Sequence, residues 1–506
     1  MYKFLLCWRY LRSRYIALAS IVSVMLGVAT MIVVNSVMAG FTHEMQSRIH
    51  GILSDMVFES RGLEGFPGGD LHMAEIEKVA GQWIAGMTPT VHIPAGLSFQ
   101  VGGQWTMRQV NLIGIDERTY SSVSEFGKYL QHPGNRQKLS FLLREGGYDA
   151  VDHQEGGDIP PRPQLAQAGW RLRRRKERFK RAMAQQNRPI ALPPTNQPND
   201  PFAQRQSQQG EENLFDPMTD QHTGSVIGIA LASYRGHDGA DRFTLLPGED
   251  IRLTFSTAGT PPSAESDVFT VVDFYESKMS EYDASFVFVP IRKLQELRGM
   301  IDPTTGIANC TSIQIKLKEG VDADMVRDRL RAHPAFPSQR YGIYTWRDKQ
   351  GPLLAAVQME TAILNVLLFM IIAVAGFGIL AIFYMIVVEK TRDIGVLKSL
   401  GAPGSGILGI FLTYGLTLGM VGSGVGLGLG LLFVVYINEI ADLLGRVTGR
   451  PLFDPSIYYF HKIPTIISPP TLAWIVAGAM LIAVLASILP ARRAARLHPV
   501  EALRYE

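Results

Sequence analysis

The stretch Glu389–Gly401, E-K-T-R-D-I-G-V-L-K-S-L-G, interleaves apolar and charged side chains at helical spacing. Ile394, Leu397 and Leu400 recur every three residues, with Val396 beside them and Lys390, Arg392, Asp393 and Lys398 between. That pattern suits recognition rather than bond chemistry. A short amphipathic helix of this kind can lie on lipid headgroups or insert into an apolar groove of a partner protein, and the residues alone leave both open. Gly401 and Pro403 then end the helix and turn the chain. Motifs for catalysis are missing. There is no G-x-x-x-x-G-K-[ST]; the glycine–lysine pair Gly127–Lys128 is followed by Tyr129. His43–Glu44 has no second histidine at zincin spacing, no G-x-S-x-G elbow occurs, and the 11 histidines are scattered. The expectation is a chain with no catalytic, cofactor-binding or metal-binding residues of its own.

The elements that must position this segment are apolar runs. No charged residue occurs from Tyr15 to Thr42, Thr361 to Val388, Ser399 to Asn438, or Ile463 to Ala491. A helix needs about 20 apolar residues to cross a bilayer. The runs predict membrane helices at 16–40, 361–388, 405–437 and 468–490, which excludes a soluble enzyme as the whole answer. Lys3, Arg9, Arg12 and Arg14 precede the first run; Lys390, Arg392 and Lys398 lie between the second and third; Arg492, Arg493, Arg496 and Arg504 follow the fourth. All three groups fall on one side when the helices alternate, which predicts cytoplasmic ends at 1–15 and 491–506 and a cytoplasmic segment at 389–402. The 41–350 region and the 439–462 loop then lie outside. The first apolar run is too long for a signal-peptide core and reads as an uncleaved anchor. Cys7 and Cys310 fall on opposite sides, so no disulfide framework is expected.

The 506 residues are 46% hydrophobic with a net charge of only +3, too little to suggest a nucleic-acid binder. In the third run Gly415 and Gly419 are four apart, as are Gly422, Gly426 and Gly430, with Gly424 and Gly428 beside them. Such spacing lets helices pack closely, within one chain or between subunits. Asn35, Thr413 and Tyr414 are the polar residues noted in the spans, and none is charged, which argues against an ion-coupled pathway. Residues 41–350 alternate strand-like runs with helical patterns, predicting an α+β domain with two lobes. Strands are expected at Val57–Ser60, Gly96–Val101, Met107–Ile115, Val226–Ala230, Ile251–Ser256, Val268–Tyr275, Ala284–Val289 and Ser312–Leu317. Helices are expected around Asp70–Ala80, Ile291–Arg298 and Ala323–His333. Residues 132–222, rich in Pro, Gln, Asn, Gly and Arg, read as a largely disordered insert. Its basic run, Arg171 to Arg181, is either a solvated charged segment or a contact for anionic headgroups or an acidic partner.

The segment 389–402 with the spaced glycines after it, and the ending L-P-A-R-R-A-A-R-L-H-P-V-E-A-L-R-Y-E at 489–506, resemble the FtsX-like permease superfamily of ABC transporters. R-Y-L-R-S-R at 9–14, V-V-N-S-V-M-A-G-F at 33–41, G-S-V-I-G-I-A-L-A at 224–232, L-P-G-E-D-I-R-L at 246–253 and S-E-Y-D-A-S-F-V-F-V-P-I at 280–291 are similar to its LolC/LolE branch. The insert departs from the family pattern. The resemblance implies an inner-membrane permease with a MacB-like periplasmic core between its first two helices. It implies a second permease chain and a separate cytoplasmic ATPase dimer that holds ATP and magnesium. Ile394, Val396, Leu397 and Leu400 would fill the ATPase groove, with Lys390, Arg392 and Lys398 pairing with acidic rims or headgroups. ATP-driven closure would move the helices and extract lipoproteins towards a periplasmic carrier, a mechanotransmission scheme. MacB-like efflux and FtsX-like signalling to a cell-wall hydrolase are the alternatives.

Overall fold

The computed structural model describes residues 15–52, 54–62, 64–154, 161–186, 215–236, 241–448 and 462–498. Lys3, Arg9, Arg12, Arg14, Arg504 and Cys7 lie outside the described residues, as do 187–214 of the insert. The chain divides into two units: residues 1–46 with 351–506, and residues 47–350.

Among its described residues, the first unit holds four helices long and apolar enough to cross a membrane. They are α1 (Tyr15–Ile52), α5 (Gly351–Glu389), α7 (Gly404–Val435) and α9 (Pro469–Arg496), with α6 (Thr391–Ser399) and α8 (Ile437–Thr448) between them. The remaining labelled helices, α2 (Gly69–Ala80), α3 (Trp170–Gln186) and α4 (Ala323–Arg331), belong to the second unit. Helix α5 starts ten residues before its uncharged run because Leu353, Leu354 and Ala355 continue the pattern and no breaker intervenes after Pro352.

The glycines of α7 divide between two neighbours. A Cβ on Gly415 or Gly419 would stand 2.7 Å from Ser487 Cβ or 2.9 Å from Ala483 Cβ, both on α9. On Gly422, Gly426 and Gly430 it would meet Val24, Met25 and Ile32 of α1 at 2.9, 2.7 and 3.1 Å. These glycines therefore pack helices within the chain, whereas Gly424 and Gly428 have nothing within 4 Å of such a Cβ. Gly426→Ala must push against the Met25 carbonyl oxygen and is expected to cost about 1–3 kcal/mol, as overpacking does. Gly428→Ala is expected to be neutral or stabilising by up to about 1 kcal/mol through helix propensity. Thermal unfolding of both variants in detergent checks the contrast.

Among its described residues, the second unit has 13 strands: β1 (Met56–Ser60), β2 (Phe66–Pro67), β3 (Ile84–Val101), β4 (Gln104–Ile115), β5 (Thr223–Gly228), β6 (Ser233–Arg235), β7 (Asp241–Phe243), β8 (Asp250–Ser256), β9 (Ala264–Tyr275), β10 (Phe286–Pro290), β11 (Asn309–Cys310), β12 (Ser312–Leu317) and β13 (Tyr341–Thr345). The 18-residue β3 serves two lobes. Its first half pairs with β12 in the sheet β13–β1–β12–β3. Its second half pairs with both β4 and β8, and the order β3–β4–β10–β5–β9–β8 closes into a six-stranded barrel. Val91, Leu97, Leu112, Ile227, Leu253, Phe269 and Val287 fill one barrel core. In the other lobe Ile76 and Ala80 of α2 and Val326 and Leu330 of α4 cover Phe58, Ile313 and Ile315.

The reading of 132–222 as largely disordered is corrected for its described part. Residues 132–154 and 161–186 are folded onto the barrel, with Leu139, Phe141, Leu143, Tyr148, Leu165 and Leu172 buried. The segment has few apolar residues, but polar clamps supplement them. Asn135 Nδ2 donates to the Asp273 carboxylate at 2.7 Å, and Tyr148 Oη donates to the Val272 carbonyl at 2.6 Å. Arg162 forks onto Glu276 at 2.7 and 2.8 Å and donates through Nε to Asp241 at 2.9 Å. Lys278 completes the cluster, bonding Glu276 at 2.6 Å and Asp152. Burial alone would raise the Glu276 carboxyl; the Arg162 fork and Lys278 override it and hold it down at about 2. The basic run forms α3, and several of its cations have acidic partners within the unit: Arg173 with Asp250 at 2.7 Å, Arg174 with Glu145 at 2.9 Å, and Lys176 with Glu249.

Candidate functional site

Two features of the membrane unit stand out, one at each end of α5. At the C-terminal end, Thr391 starts α6 and its hydroxyl donates back to the Val387 carbonyl at 2.9 Å. Gly401, at φ 93°, supplies the left-handed residue that ends the segment, and the Ala402 amide donates to the Leu397 carbonyl at 3.0 Å. Lys390 pairs with Asp393 at 2.7 Å.

This geometry sorts the seven residues that the sequence nominated. Val396, Leu397 and Leu400 are exposed at 43, 37 and 80%, and Arg392 is exposed beside them. Ile394 is 4% exposed and packs with Val387, Ile407, Ala491 and Ala494. Its expected place in a partner's groove is therefore corrected: the buried face of α6 is used to seat the helix on the bundle. Lys398 is likewise occupied, with Nζ donating to the carbonyls of Ala495 and Leu497 at 2.6 and 2.7 Å. A cation at the last carbonyls of a helix satisfies orphan acceptors and the negative end of its dipole. Lys398 thus ties α6 to the end of α9 instead of facing an acidic rim. Three apolar side chains and Arg392 remain presented.

At the other end, a cavity of about 520 Å³ opens between α1, α5 and the start of α9. Asn35, Thr42, His43 and Gln46 of α1 line it, with Gln358, Thr361 and Asn365 of α5 and Ser468 and Thr471 near the start of α9. Ile32, Met38, Leu472 and Ile475 supply the apolar wall. Its volume is in the range of small-molecule sites. Of these residues the sequence singles out only Asn35: Thr42, His43, Gln46 and Gln358 lie beyond the bounds expected for the first two spans, and Thr361, Asn365, Ser468 and Thr471 lie inside expected spans as isolated uncharged polar residues. The signal that finds them is helical spacing: Asn35, Thr42 and Gln46 on the first helix, and Gln358, Thr361 and Asn365 on the second, recur at intervals of three, four or seven residues.

Along α5, Asn365 and Glu389 are 24 residues apart, about 36 Å of helix at 1.5 Å per residue. One rigid element therefore joins the exposed apolar patch to the cavity.

These features define a polytopic membrane protein with a large α+β region between its first and second candidate spans. Residues 365–499, which include α6, α7 and α9, match the family model of the FtsX-like permease C-terminal region, so the chain carries an FtsX-like permease domain. It is 28% identical over 281 residues to the lipoprotein-releasing system transmembrane protein LolC of Xylella fastidiosa, covering 56% of this chain and 64% of that protein. It is 31% identical over 283 residues to LolC of Haemophilus influenzae, again covering 56% and 64%. A more distant similarity, 29% over 203 residues, links it to the macrolide export ATP-binding/permease protein MacB of Chromobacterium violaceum, across 38% of this chain and 27% of MacB. The matches thus span less than two thirds of the length of each of these relatives.

Proposed function

We propose that the chain is a permease subunit of an ABC transporter that extracts lipid-modified proteins from the inner membrane. It works with a second permease chain and a separate ATPase dimer that binds ATP and magnesium. The observation that carries this reading is the exposure of Val396, Leu397 and Leu400 on a short helix clamped to the ends of α5 and α9. An apolar patch there is an anchor for a partner's groove, and the clamps let a push on α6 travel into two spans. Arg392 is suited to an acidic rim of that groove.

On this reading α6 faces the cytoplasm, and residues 47–350 form a MacB-like core in the periplasm. The cavity at the far end of α5 is assigned to part of the cargo's lipid-modified end, with room for about one acyl chain. Its polar residues suit a headgroup-proximal backbone, and Ile32, Met38 and Ile475 suit an acyl chain. Closure of the ATPase dimer moves α5 as a lever, and the cavity and the 47–350 region respond at its other end. Chemistry stays on the ATPase subunit. The similarity to LolC supports lipoproteins, rather than macrolides, as the proposed cargo. Depletion of the protein is expected to strand lipidated proteins in the inner membrane, as read by membrane fractionation.

A further inference from the structure

The segment between α7 and α9, expected as a short loop, contains a 12-residue helix, α8. Its residues sort by face. Ile440, Leu443, Leu444 and Val447 follow the i, i+3, i+4, i+7 pattern and fall within an arc of about 100°, while Glu439, Asp442 and Arg446 lie outside it, about 90–150° from its centre. Leu443 and Val447 are 63 and 78% exposed. Leu444 is exposed as well and Ile440 is half-buried, so most of this face is left open by the described residues.

The position of α8 identifies what covers that face. It starts one residue after α7 ends, and α7, with 32 residues, is about 48 Å long. A bilayer is about 30 Å thick in its hydrocarbon core and about 40–45 Å with its headgroups. The end of α7 therefore lies in the headgroup layer, and so does the start of α8. Side-chain bonds fix it there. Asn438 accepts from the Ile463 amide at 2.7 Å and donates to its carbonyl at 3.4 Å. The nearby Ile466 amide donates to the Ser36 carbonyl of α1 at 3.0 Å. A helix of this length is marginal in water on its own and gains stability by burying an apolar face.

We infer that α8 is an interfacial helix whose apolar face is buried at the headgroup–acyl boundary of the leaflet at which α1 ends and α9 begins. Its partner is the lipid surface itself. With Glu439 and Asp442 against Arg446, the helix carries one net negative charge, so burial of Leu443, Leu444 and Val447 drives the contact without attraction to anionic lipid. Because Asn438 is bonded to Ile463, α8 also sets the depth of the segment 463–468, whose Ile466 and Ser468 form one wall of the cavity. The inference rests on the membrane spans and not on the transport reading.

The test uses the full chain with Cys7→Ser and Cys310→Ser, carrying single cysteines at 439, 442, 443 or 447. Each is labelled with a nitroxide after reconstitution into phosphatidylethanolamine/phosphatidylglycerol vesicles and, separately, phosphatidylcholine vesicles. The ratio of oxygen to nickel-chelate collision rates is expected to be about tenfold higher at 443 and 447 than at 439 and 442, in both lipids. Equal nickel access on the two faces would place α8 in water and overturn the inference. Shielding of 443 and 447 from both reagents would show a protein contact and overturn it too. A contrast confined to the anionic vesicles would refute the apolar drive. All four positions are solvent-exposed or half-exposed on the helix surface, and circular dichroism of each labelled chain confirms folding.

Discussion

Leu397→Asp leaves the chain folded and membrane-inserted but lowers its coupling to the ATPase by about 30-fold or more. Burying a leucine side chain contributes about 1.5–3 kcal/mol, and a carboxylate in its place must be desolvated without a partner. A loss of about 2 kcal/mol in a central anchor corresponds to roughly 30-fold in affinity. Because Leu397 is exposed, the substitution does not disturb the packing of the bundle. Ile394→Asp provides the contrast. Ile394 lies in the core with Val387 and Ala491, so its replacement should lower the yield of folded protein as well as coupling. Co-purification of the ATPase and permease-dependent ATP hydrolysis read the first effect, and detergent-stable yield reads the second. Equal yields and equal coupling for the two variants would contradict this assignment of faces.

Arg162→Ala destabilises the region 47–350 by about 3–5 kcal/mol, because it strips a buried carboxylate of its bidentate partner. For a unit of this size that lowers Tm by roughly 10 °C. Arg162→Lys should recover only part of the loss, since lysine cannot reproduce the fork onto Glu276 while also reaching Asp241. The effect depends on pH in a defined direction. The folded Glu276 carboxyl is held at about 2 against an ordinary 4.5, so its contribution is full above about pH 4.5 and is lost as pH falls through 2. The gap between wild type and Arg162→Ala should therefore close in acid. Tryptophan fluorescence reports it, because Trp83, Trp105, Trp170 and Trp346 lie in this region, against Trp8 and Trp474 elsewhere.

The sequence revealed what is written locally. Uncharged runs of 28 residues or more mark spans whatever their neighbours do, and helical spacing in 389–400 marks an amphipathic segment. What stayed hidden depends on distant partners. Spacing cannot say which face of α6 meets protein; the end of α9, about a hundred residues later, decides that by burying Ile394 and engaging Lys398. The insert looked too polar to fold because Arg162 and Glu276 are 114 residues apart, and a charge pair at that separation leaves no periodic trace. The barrel closes through pairing of β3 with β8, a join that alternation along either strand does not announce. Helix α8 is hidden because its 12 residues are too short for a span and sit between two long apolar runs, where a loop is expected. Its four apolar positions were nonetheless visible in the sequence.

The central claim, release of lipidated proteins by a permease driven through α6, is tested most directly in cells depleted of the chain and supplied with either the wild type or Leu397→Asp. Inner and outer membranes are separated, and lipidated proteins are followed by metabolic labelling with a palmitate analogue. Lipoproteins are expected to accumulate in the inner membrane on depletion, return to the outer membrane with the wild type, and stay stranded with Leu397→Asp despite normal insertion of the variant. Unchanged lipoprotein sorting on depletion would contradict it.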